Sequence, residues 1–372
     1  MKVLMQSRTT LFSVPGGDTV QLMQTADALR RKGVKVDISS GLEPDLQGYD
    51  IVHLFNFMRP QETWIQCRNA KKQGKKVLLS TIFGEYDEFE KKTRKGISGV
   101  LIRNLRRSHI EYVKVAGRAA MNYEMHKGVM HLLMRGYGRL QSDLLEMVEW
   151  CLPNSYGEMK RMIRYFPRAS HIPFTVVPNA VDPALFSPGL PLHPSAGMPE
   201  EEFVLCVGRV ELRKNQLNVV RAMRNLPWSL VLIGKPAPNH IHYFNQVLAE
   251  GGSRMKYKGW VDQADLPFWY QKAKVHILAS WMETPGLSSL EAGAMGCNLV
   301  ITEKGDTVEY FRDEAFYCLP DSVESIRKAI VQAFEAPRQR DLQSRILTEY
   351  TWEKAAEATF SAYEAVQAKE RK

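Results

Sequence analysis

Short apolar runs alternate with helix-periodic segments along the first half of the chain. The runs cover 2–7, 34–39, 51–55 and 76–82, and helical periods fill 20–31 and 60–73. Apolar residues that recur at a 3.6-residue period mark the buried side of a helix. Buried strands that alternate with such helices are typical of a parallel sheet covered by helices. The pattern therefore predicts a doubly wound α/β domain.

The same alternation starts again after a proline-rich stretch. Its apolar runs lie at 203–208, 230–235, 255–261, 275–280, 299–302 and 316–319, with helical patterns at 266–273 and 323–334. We therefore expect two domains, 1–182 and 201–350, joined by a linker at 183–200. A last amphipathic pattern over 351–372 predicts a C-terminal helix.

Composition agrees with a globular protein of two domains. The 372 residues are 44% hydrophobic and 24% charged, which is ordinary for such proteins. No apolar run is long enough to span a membrane, and a strand that begins at Lys2 leads us to expect no signal peptide. The five cysteines are scattered in apolar contexts, so we expect reduced core thiols in a cytosol.

The net charge of +9 is concentrated in one segment, 91–118, which holds nine Lys or Arg and one acid, Glu111. On a helical projection, apolar residues gather on one side and basic residues on the other. Such a helix suits an anionic membrane surface, and our hypothesis is that Arg103, Arg106 and Arg107 contact the inner leaflet. The competing interpretation is a surface helix packed on its own sheet. Nucleic-acid binding is a less favoured interpretation, because no groove with interleaved aromatic residues accompanies the charge.

Two carboxylates, Glu283 and Glu291, flank a Pro-Gly turn and the first turn of a predicted helix. An apolar run precedes them and a small-residue helical pattern follows. The N–H groups of Gly286, Leu287 and Ser288 would form a helix N-terminus suited to an anion. A nucleotide-sugar, with hydroxyls at both ends and phosphates between, would satisfy these features together.

This stretch resembles the donor-site motif of the retaining glycosyltransferases of family four, which have two glutamates separated by seven residues. The resemblance implies the GT-B fold, in which two Rossmann-like doubly wound domains face each other across a cleft. It implies that Glu283 binds the sugar hydroxyls and Glu291 the ribose hydroxyls. It also implies that domain 1–182 binds the acceptor, that 201–350 binds the donor, and that helix 351–372 packs back on the first domain.

Other positions match the same family. Gly16 and Gly17 fall where its Gly-Gly loop meets the donor diphosphate, and Arg209 and Lys214 match its diphosphate-binding cations in type and spacing. Two cations at a strand-to-helix junction can neutralise the charge that grows on a leaving diphosphate. The loop that carries Trp260 and Val261 contacts the nucleobase in relatives.

One position departs from the family. Many members place a histidine before a glycine near the transferring sugar, whereas this chain has Phe83 before Gly84. Glu85, Tyr86 and Asp87 follow directly. One of these three residues is our candidate for the acceptor-side role.

The resemblance implies transfer of a sugar, with retention, from a UDP-, GDP- or ADP-sugar to a glycan or lipid-linked acceptor of a bacterial cell-envelope polysaccharide. We expect no required cofactor and no metal, since no Asp-x-Asp pair closes a strand and His240 and His242 lack a third ligand. The expected location is cytoplasmic, at the inner face of the membrane.

Two other interpretations stay open. One is a nucleotide-sugar epimerase or a sugar phosphorylase of the same architecture, and the other is a basic binding protein without catalysis. A dinucleotide oxidoreductase and a P-loop nucleotidase are disfavoured, because neither glycine-rich fingerprint occurs.

Overall fold

The computed structural model describes residues 1–93, 107–122, 126–189 and 198–368. The chain divides into two compact units. Met1–Asn179 and Trp352–Lys372 form the first, and Ala180–Thr351 forms the second. Each unit is built on one parallel sheet with helices packed against it. The predicted α/β class with two doubly wound domains is confirmed.

The first unit has a five-stranded sheet in the order β2-β1-β3-β4-β5, and its described pairings are all parallel. The strands are β1 (Lys2–Gln6), β2 (Lys35–Ser39), β3 (Ile51–Phe55), β4 (Lys76–Ser80) and β5 (Trp150–Leu152). Because the strands are parallel, the loops that follow β1, β3 and β4 leave the same edge of the sheet. The donor-side and acceptor-side candidates of this unit lie on the loops after β1 and β4 or at the first residue of the helix that follows each loop.

The helices of the first unit bury the apolar faces of the sheet. They are α1 (Gly17–Arg31), α2 (Pro60–Lys72), α3 (Asp87–Thr93), α4 (Arg107–Asn122), α5 (Lys127–Arg135), α6 (Tyr137–Leu145) and α7 (Tyr156–Tyr165). Their apolar side chains join those of β3 and β4 in one core, with Leu54, Leu79, Leu132 and Leu140 fully buried. Burial of one such side chain contributes roughly 1.5–3 kcal/mol.

The second unit has a six-stranded sheet in the order β11-β10-β9-β6-β7-β8. Its strands are β6 (Val204–Val207), β7 (Leu230–Ile233), β8 (Met255–Gly259), β9 (Val275–Leu278), β10 (Asn298–Thr302) and β11 (Phe316–Cys318). Its helices are α8 (Gln216–Met223), α9 (Ile241–Glu250), α10 (Leu266–Lys272), α11 (Leu287–Ala294), α12 (Thr307–Phe311), α13 (Val323–Glu335) and α14 (Arg340–Glu349). The order β9-β6-β7 is a switch point, because β7 follows β6 on one side while β9 returns to the other. Ligands of open α/β sheets bind outside the strand ends at such points.

The stretch predicted as a linker contributes to the core of the second unit. Phe186 is buried, and its ring meets Tyr270 with centroids 6.1 Å apart. Met198 also packs against this core. The described part of 183–200 is therefore packed structure belonging to the second unit.

The last described helix, α15 (Trp352–Ala368), belongs to the first unit. The Tyr363 hydroxyl lies 2.8 Å from Nδ1 of the buried His53 in β3. An Arg31–Glu353 ion pair, 2.7 Å long, joins α1 to α15. The chain therefore returns to its first unit after completing the second. The assignment of acceptor and donor roles to the two units stays a prediction.

The membrane-contact residues fall mainly outside the described part of the chain. Arg103 and Arg106 lie in the segment 94–106, and Arg107 is the first residue of α4, with a side chain that is also outside the description. Within α4, Val115 is buried and the Tyr112 hydroxyl donates to the Leu133 carbonyl of α5 at 3.0 Å. The apolar side of the described helix thus packs on its own domain.

Lys114, which the helical projection placed on the basic face, is neutralised in the structure. Its ammonium group pairs with Glu90 and with Glu111. Across the described residues, no helix combines the length and the apolar character that crossing a bilayer requires. The five cysteines are free and buried, as their apolar contexts predicted.

Candidate active site

The turn between β9 and α11 is built around Gly286. Its φ of 91° lies in the left-handed region, which glycine adopts without a steric penalty. A Cβ at this position would lie 2.9 Å from Leu278 Cδ2 and 3.3 Å from Glu283 Oε2. The next residue, Leu287, begins α11. A helix N-terminus with amides that have no intrahelical partner therefore opens beside the Glu283 carboxylate.

Glu283 is held in place through its main chain. Its N–H donates to the Lys304 carbonyl at 3.2 Å, and its carbonyl accepts from Asp306 N–H at 2.9 Å. Gly305 passes so close that a Cβ there would lie 2.0 Å from the Glu283 oxygen. Only about 8% of Glu283 is exposed, so its carboxylate is aimed by a rigid support.

Lys214 neutralises that carboxylate. Its Nζ lies 2.5 Å from Glu283 Oε1, and its side chain is 17% exposed. Three hydrogen bonds fix the turn that carries Lys214, two of them to residues just after β9 and one to a residue just after β11. Asn215 Nδ2 donates to the Ala279 and Pro320 carbonyls at 3.0 and 2.7 Å, and Trp281 N–H donates to the Arg213 carbonyl at 2.9 Å.

Arg209 lies in the loop that follows β6 and is exposed. The nearby Glu211 shows the local excess of positive charge. Burial alone would raise the pKa of Glu211, but the charge and hydrogen bond of Arg213, together with the charges of Lys214 and Arg209, lower it overall. Arg213 is partly buried and pairs with Glu211 at 2.9 Å. The loop therefore carries a cluster of three cations.

Glu291 lies one turn into α11 and is 9% exposed. The Tyr270 hydroxyl donates to its Oε2 at 3.0 Å. Burial raises the pKa of Glu291 to about 7, although the hydrogen bonds from Tyr270 and Gln263 act in the opposite direction. Near neutral pH this carboxyl is therefore divided between its ionised and protonated forms.

Trp260 is exposed, at 58%, on the loop after β8. The Lys235 ammonium lies 4.9 Å from the centre of its ring, a cation–π arrangement. Val261 is only partly buried and packs against the core of the unit. The exposed ring of Trp260 is thus available for stacking.

Gly16 and Gly17 lie in the first unit, at the start of α1. Gly16 caps the helix in an extended conformation, and its N–H donates to Thr19 Oγ1 at 3.1 Å. Arg8 closes the preceding loop with two hydrogen bonds to Asp18, at 2.6 and 3.0 Å. It also donates to the carbonyls of Thr10 and Val14. The glycine pair therefore stands on a braced loop.

Phe83 is fully buried, with its ring against Phe57 and Phe166. Its N–H donates to the buried carboxylate of Glu158 at 2.7 Å, so the backbone at this position is fixed. A side chain inside the core cannot reach a substrate.

The three acceptor-side candidates follow in the next loop. Glu85 accepts from Arg164 at 2.5 Å and from the Tyr165 hydroxyl at 2.6 Å, and Asp87 Oδ2 lies 3.3 Å from that hydroxyl. The Tyr86 ring covers Gly84. Glu85 and Asp87 therefore share Tyr165 as a neighbour.

Sequence reasoning did not single out Tyr270, Asn215 or Gly305. Tyr270 stands in an apolar helical run, which is typical of plain core packing. Asn215 and Gly305 are distinguished by their backbone conformation, since Asn215 has a φ of 62° and Gly305 has a φ of 98°. Asn and Gly are the residue types that adopt a positive φ most readily, and this is the signal that the sequence offered. Among the described residues no group of His, Cys, Asp and Glu is arranged to hold a metal ion.

Comparison with known proteins finds glycosyltransferases. The profile of the family "Glycosyl transferases group 1" matches residues 193–347. The chain is 31% identical over 151 residues to the lipopolysaccharide core biosynthesis mannosyltransferase LpcC of Rhizobium leguminosarum bv. viciae, covering 37% of this chain and 42% of that protein. It is 28% identical over 174 residues to O-antigen chain mannosyltransferase B of Escherichia coli, covering 43% and 45%. The chain thus spans less than half the length of these curated relatives.

The fold extends over the whole chain. Sucrose-phosphate synthase from Thermosynechococcus elongatus matches with a TM-score of 0.73 at 16% identity, covering 99% of both chains. Anabaena HepE, solved in complex with UDP-glucose, matches with a TM-score of 0.70 at 13% identity, covering 98% of this chain and all of that one. These likenesses show the GT-B glycosyltransferase fold with two Rossmann-like domains. The family profile thus matches most of the second unit, and it agrees with the glycosyltransferase resemblance recognised from the motif.

Proposed function

We propose that the protein is a retaining glycosyltransferase that moves a sugar from a nucleotide-sugar to a glycan or lipid-linked acceptor in bacterial cell-envelope polysaccharide synthesis. The observation that carries the proposal is the arrangement around Gly286. An acid, its paired lysine and a helix N-terminus converge there at the carboxyl edge of the second sheet. The two mannosyltransferase relatives, of lipopolysaccharide core and O-antigen by name, support this setting.

The donor would bind along this edge. Glu291 would accept hydrogen bonds from the ribose hydroxyls, and Glu283 from the sugar hydroxyls. The diphosphate would lie between them, against the amides of Gly286, Leu287 and Ser288. Arg209 and Lys214 would meet its charge, and Gly16 and Gly17 would approach it from the first unit. The nucleobase would stack on Trp260 beside Val261.

The reaction would proceed on one face of the sugar. The bond between the anomeric carbon and the phosphate oxygen breaks, and its electron pair leaves with the nucleoside diphosphate. The acceptor oxygen bonds to the same face, and its proton passes to the leaving phosphate oxygen. No nucleophilic carboxylate is required, in contrast to retaining hydrolases. Arg209 and Lys214 would stabilise the leaving charge.

Glu85 and Asp87 are our candidates for binding acceptor hydroxyls, because ionised carboxylates accept hydrogen bonds from such groups. Tyr86, which covers Gly84, would shape that subsite. We infer no required metal or other cofactor. The donor would be a UDP-, GDP- or ADP-sugar.

A thermal-shift screen against UDP-, GDP- and ADP-sugars tests the proposal. We expect one nucleotide class to raise the melting temperature of the wild-type protein, and the same ligand to act weakly on a Glu291→Gln variant. Binding of no nucleotide-sugar would contradict the proposal. Incubation without an acceptor then separates a transferase from an epimerase, which would convert the donor unaided.

Peripheral contact with the inner leaflet is part of the proposal, since it would bring the enzyme to a lipid-linked acceptor. Changing Arg103, Arg106 and Arg107 to Glu should abolish flotation with anionic vesicles. The charge-matched control changes Lys256, Lys272 and Lys328, exposed lysines of the second unit, to Glu. Equal flotation of both triple variants would contradict membrane contact through the basic segment.

A further inference from the structure

The Glu291 carboxylate has a single described hydroxyl donor within its own domain. Tyr270, on α10, is fully buried, and its O–H donates to Glu291 Oε2 at 3.0 Å. Of the two carboxylate oxygens, Tyr270 thus engages one. Its own position is fixed by packing, because Phe186 and His276 meet its ring with centroids 6.1 and 5.8 Å away.

Tyr270 is fixed at its main chain as well. The Cys297 thiol donates to the Tyr270 carbonyl at 3.0 Å, and the Tyr270 ring lies in the same core as Leu290 and Ala294 of α11. A side chain locked on both sides can set the rotamer of the carboxylate that it contacts. Rigid support of this kind is what a residue that must bind two adjacent hydroxyls requires.

We propose that Tyr270 is a positioning residue for the nucleotide site, which favours the ionised form of Glu291 and holds its carboxylate in the orientation that accepts hydrogen bonds from a ribose. The inference rests on the proposed function, because it takes the ribose of the donor as the partner of Glu291. It adds the residue that prepares that carboxylate. It also adds a pH dependence of nucleotide binding.

The groups that favour the ionised form of Glu291 are Tyr270 and Gln263, which donate hydrogen bonds to it. His276, on β9, is buried and its pKa is lowered to about 3, while burial raises the pKa of the Cys297 thiol to about 12. Both are therefore neutral around pH 7. On α14, which packs against α11, Arg345 is paired with Glu314, and the Gln343 amide donates to the Ala294 carbonyl. Tyr270 itself stays protonated, because burial raises its pKa well above the ordinary value.

Loss of the Tyr270 hydroxyl should therefore move the titration of Glu291. Removal of a donor to the charged form raises the pKa of a carboxyl further. At pH 7 the carboxyl of a Tyr270→Phe variant would be mostly protonated and a poor acceptor for ribose. A rise of one unit in the pKa of Glu291 should lower nucleotide affinity about fivefold at pH 7. The affinity should return towards the wild-type value at pH 9.

The binding experiment is titration calorimetry from pH 6 to 9 with UDP, GDP and ADP, each beside its 2′,3′-dideoxy analogue. For the nucleotide that binds, Tyr270→Phe should shift the pH midpoint of binding upward. The dideoxy analogue lacks the ribose hydroxyls, so it should bind the wild type and the variant with equal affinity at each pH. Tyr243→Phe is the matched control, since its hydroxyl accepts from Leu217 N–H at 2.9 Å, and it should leave the midpoint unchanged. A loss of affinity that is the same at all pH values would make Tyr270 merely structural and overturn the inference.

A second measurement does not depend on a ligand. Carboxyl-labelled glutamate allows the titration of Glu291 to be followed by carbon NMR, with Glu291→Gln identifying the resonance. The midpoint should lie higher in Tyr270→Phe than in the wild type, and equal midpoints would overturn the inference. If no nucleotide binds the wild-type protein, the proposed function fails, while this titration still decides whether Tyr270 favours the ionised form of Glu291.

Discussion

At the residue scale, Lys214 and Glu283 neutralise one another in the unliganded protein. Their contact of 2.5 Å is largely shielded from water, where ion pairs are screened little. Such a pair keeps a buried acid from standing alone, which would cost about 3–5 kcal/mol. A diphosphate that approaches Lys214 would share an ammonium group that is already engaged. Arg209, further out and exposed, would then bear much of the new charge.

Replacement of Arg209 by Ala tests whether Arg209 bears much of the diphosphate charge. We expect transfer to slow by about 10²-fold or more, because one charge-assisted contact to a developing leaving group contributes roughly 2–4 kcal/mol. The melting temperature should stay near that of the wild type, since the side chain is exposed. Steady-state kinetics of sugar transfer provide the measurement.

The control for this variant is Arg224→Ala. Arg224 is also exposed in the second unit, but it pairs with Glu250 at 2.9 Å on the far end of α8. Its loss should leave turnover unchanged. Near-normal turnover of Arg209→Ala would remove Arg209 from the diphosphate site.

Glu291 should make stability depend on pH in a direction opposite to that of most carboxylates. Its pKa is about 7 in the folded protein and ordinarily 4.5. Between these values the unfolded chain releases the proton while the folded protein keeps it. The stabilisation is therefore complete below about pH 4.5 and lost as the pH rises through 7, a span of about 3 kcal/mol.

Urea unfolding of the wild type and of Glu291→Gln at pH 5 and pH 8 isolates this effect. The amide cannot titrate, so the variant should gain about 3 kcal/mol relative to the wild type between the two conditions. A relative stability that does not change with pH would show that Glu291 titrates as an ordinary carboxyl.

At the element scale, the junction of β9 and α11 depends on the missing side chain of Gly286. Ala at this position meets two costs, a left-handed backbone and a Cβ 2.9 Å from Leu278. We expect Gly286→Ala to lower the free energy of unfolding by about 3 kcal/mol. Urea denaturation provides the measurement.

Gly252 separates the two costs. Its φ is 66°, but a Cβ there would meet nothing within 4 Å. Gly252→Ala should therefore cost only the backbone penalty, about 1–2 kcal/mol. If both variants lose the same amount, the close approach at Gly286 is unimportant.

The alternating pattern predicted the elements well, but it could not predict which loops meet. The run 275–280 and the small residues after Glu291 indicated a strand, a turn and a helix, and the structure has β9, Gly286 and α11 there. The helix begins at Leu287, where its N-terminus was predicted. The predicted run 255–261, in contrast, is a strand only as far as Gly259. Periodicity is a property of neighbours in sequence, and it therefore finds elements better than their exact ends.

Contacts between distant residues had no local signal. Lys214 meets Glu283 across 69 positions, and the contact depends on Asn215 binding the end of β9. Tyr270 meets Glu291 through the packing of α10 on α11, which an apolar run does not reveal. Phe83 could be recognised as a departure from the family, but its burial follows from the fit of its ring against Phe57 and Phe166.

At the scale of the whole molecule, the first unit is discontinuous in sequence. It consists of Met1–Asn179 and Trp352–Lys372, and α15 contributes the buried side chains of Trp352, Tyr363 and Val366. Removal of these three from water contributes roughly 1.5–3 kcal/mol each. The stability of the first unit therefore depends on residues that follow the second.

Truncation after Thr351 should destabilise the first unit selectively. Calorimetric melting should show a transition at lower temperature for that unit, because His53 and the apolar face of α1 lose their cover. The second unit keeps its whole sheet without α15, so its own transition should stay near the wild-type temperature. An equal fall of both transitions would contradict a selective effect on the first unit.

Because α15 follows the second unit in sequence, it also affects the order in which the two units can fold during synthesis. Domains commonly fold from the N-terminus as they are synthesised, but here the opening 179 residues wait for a partner helix that is translated after Thr351. The second unit can complete its sheet first, while the first unit still lacks its last helix. A nascent chain that has emerged from the ribosome as far as Thr351 would therefore carry a complete second unit and an incomplete first one.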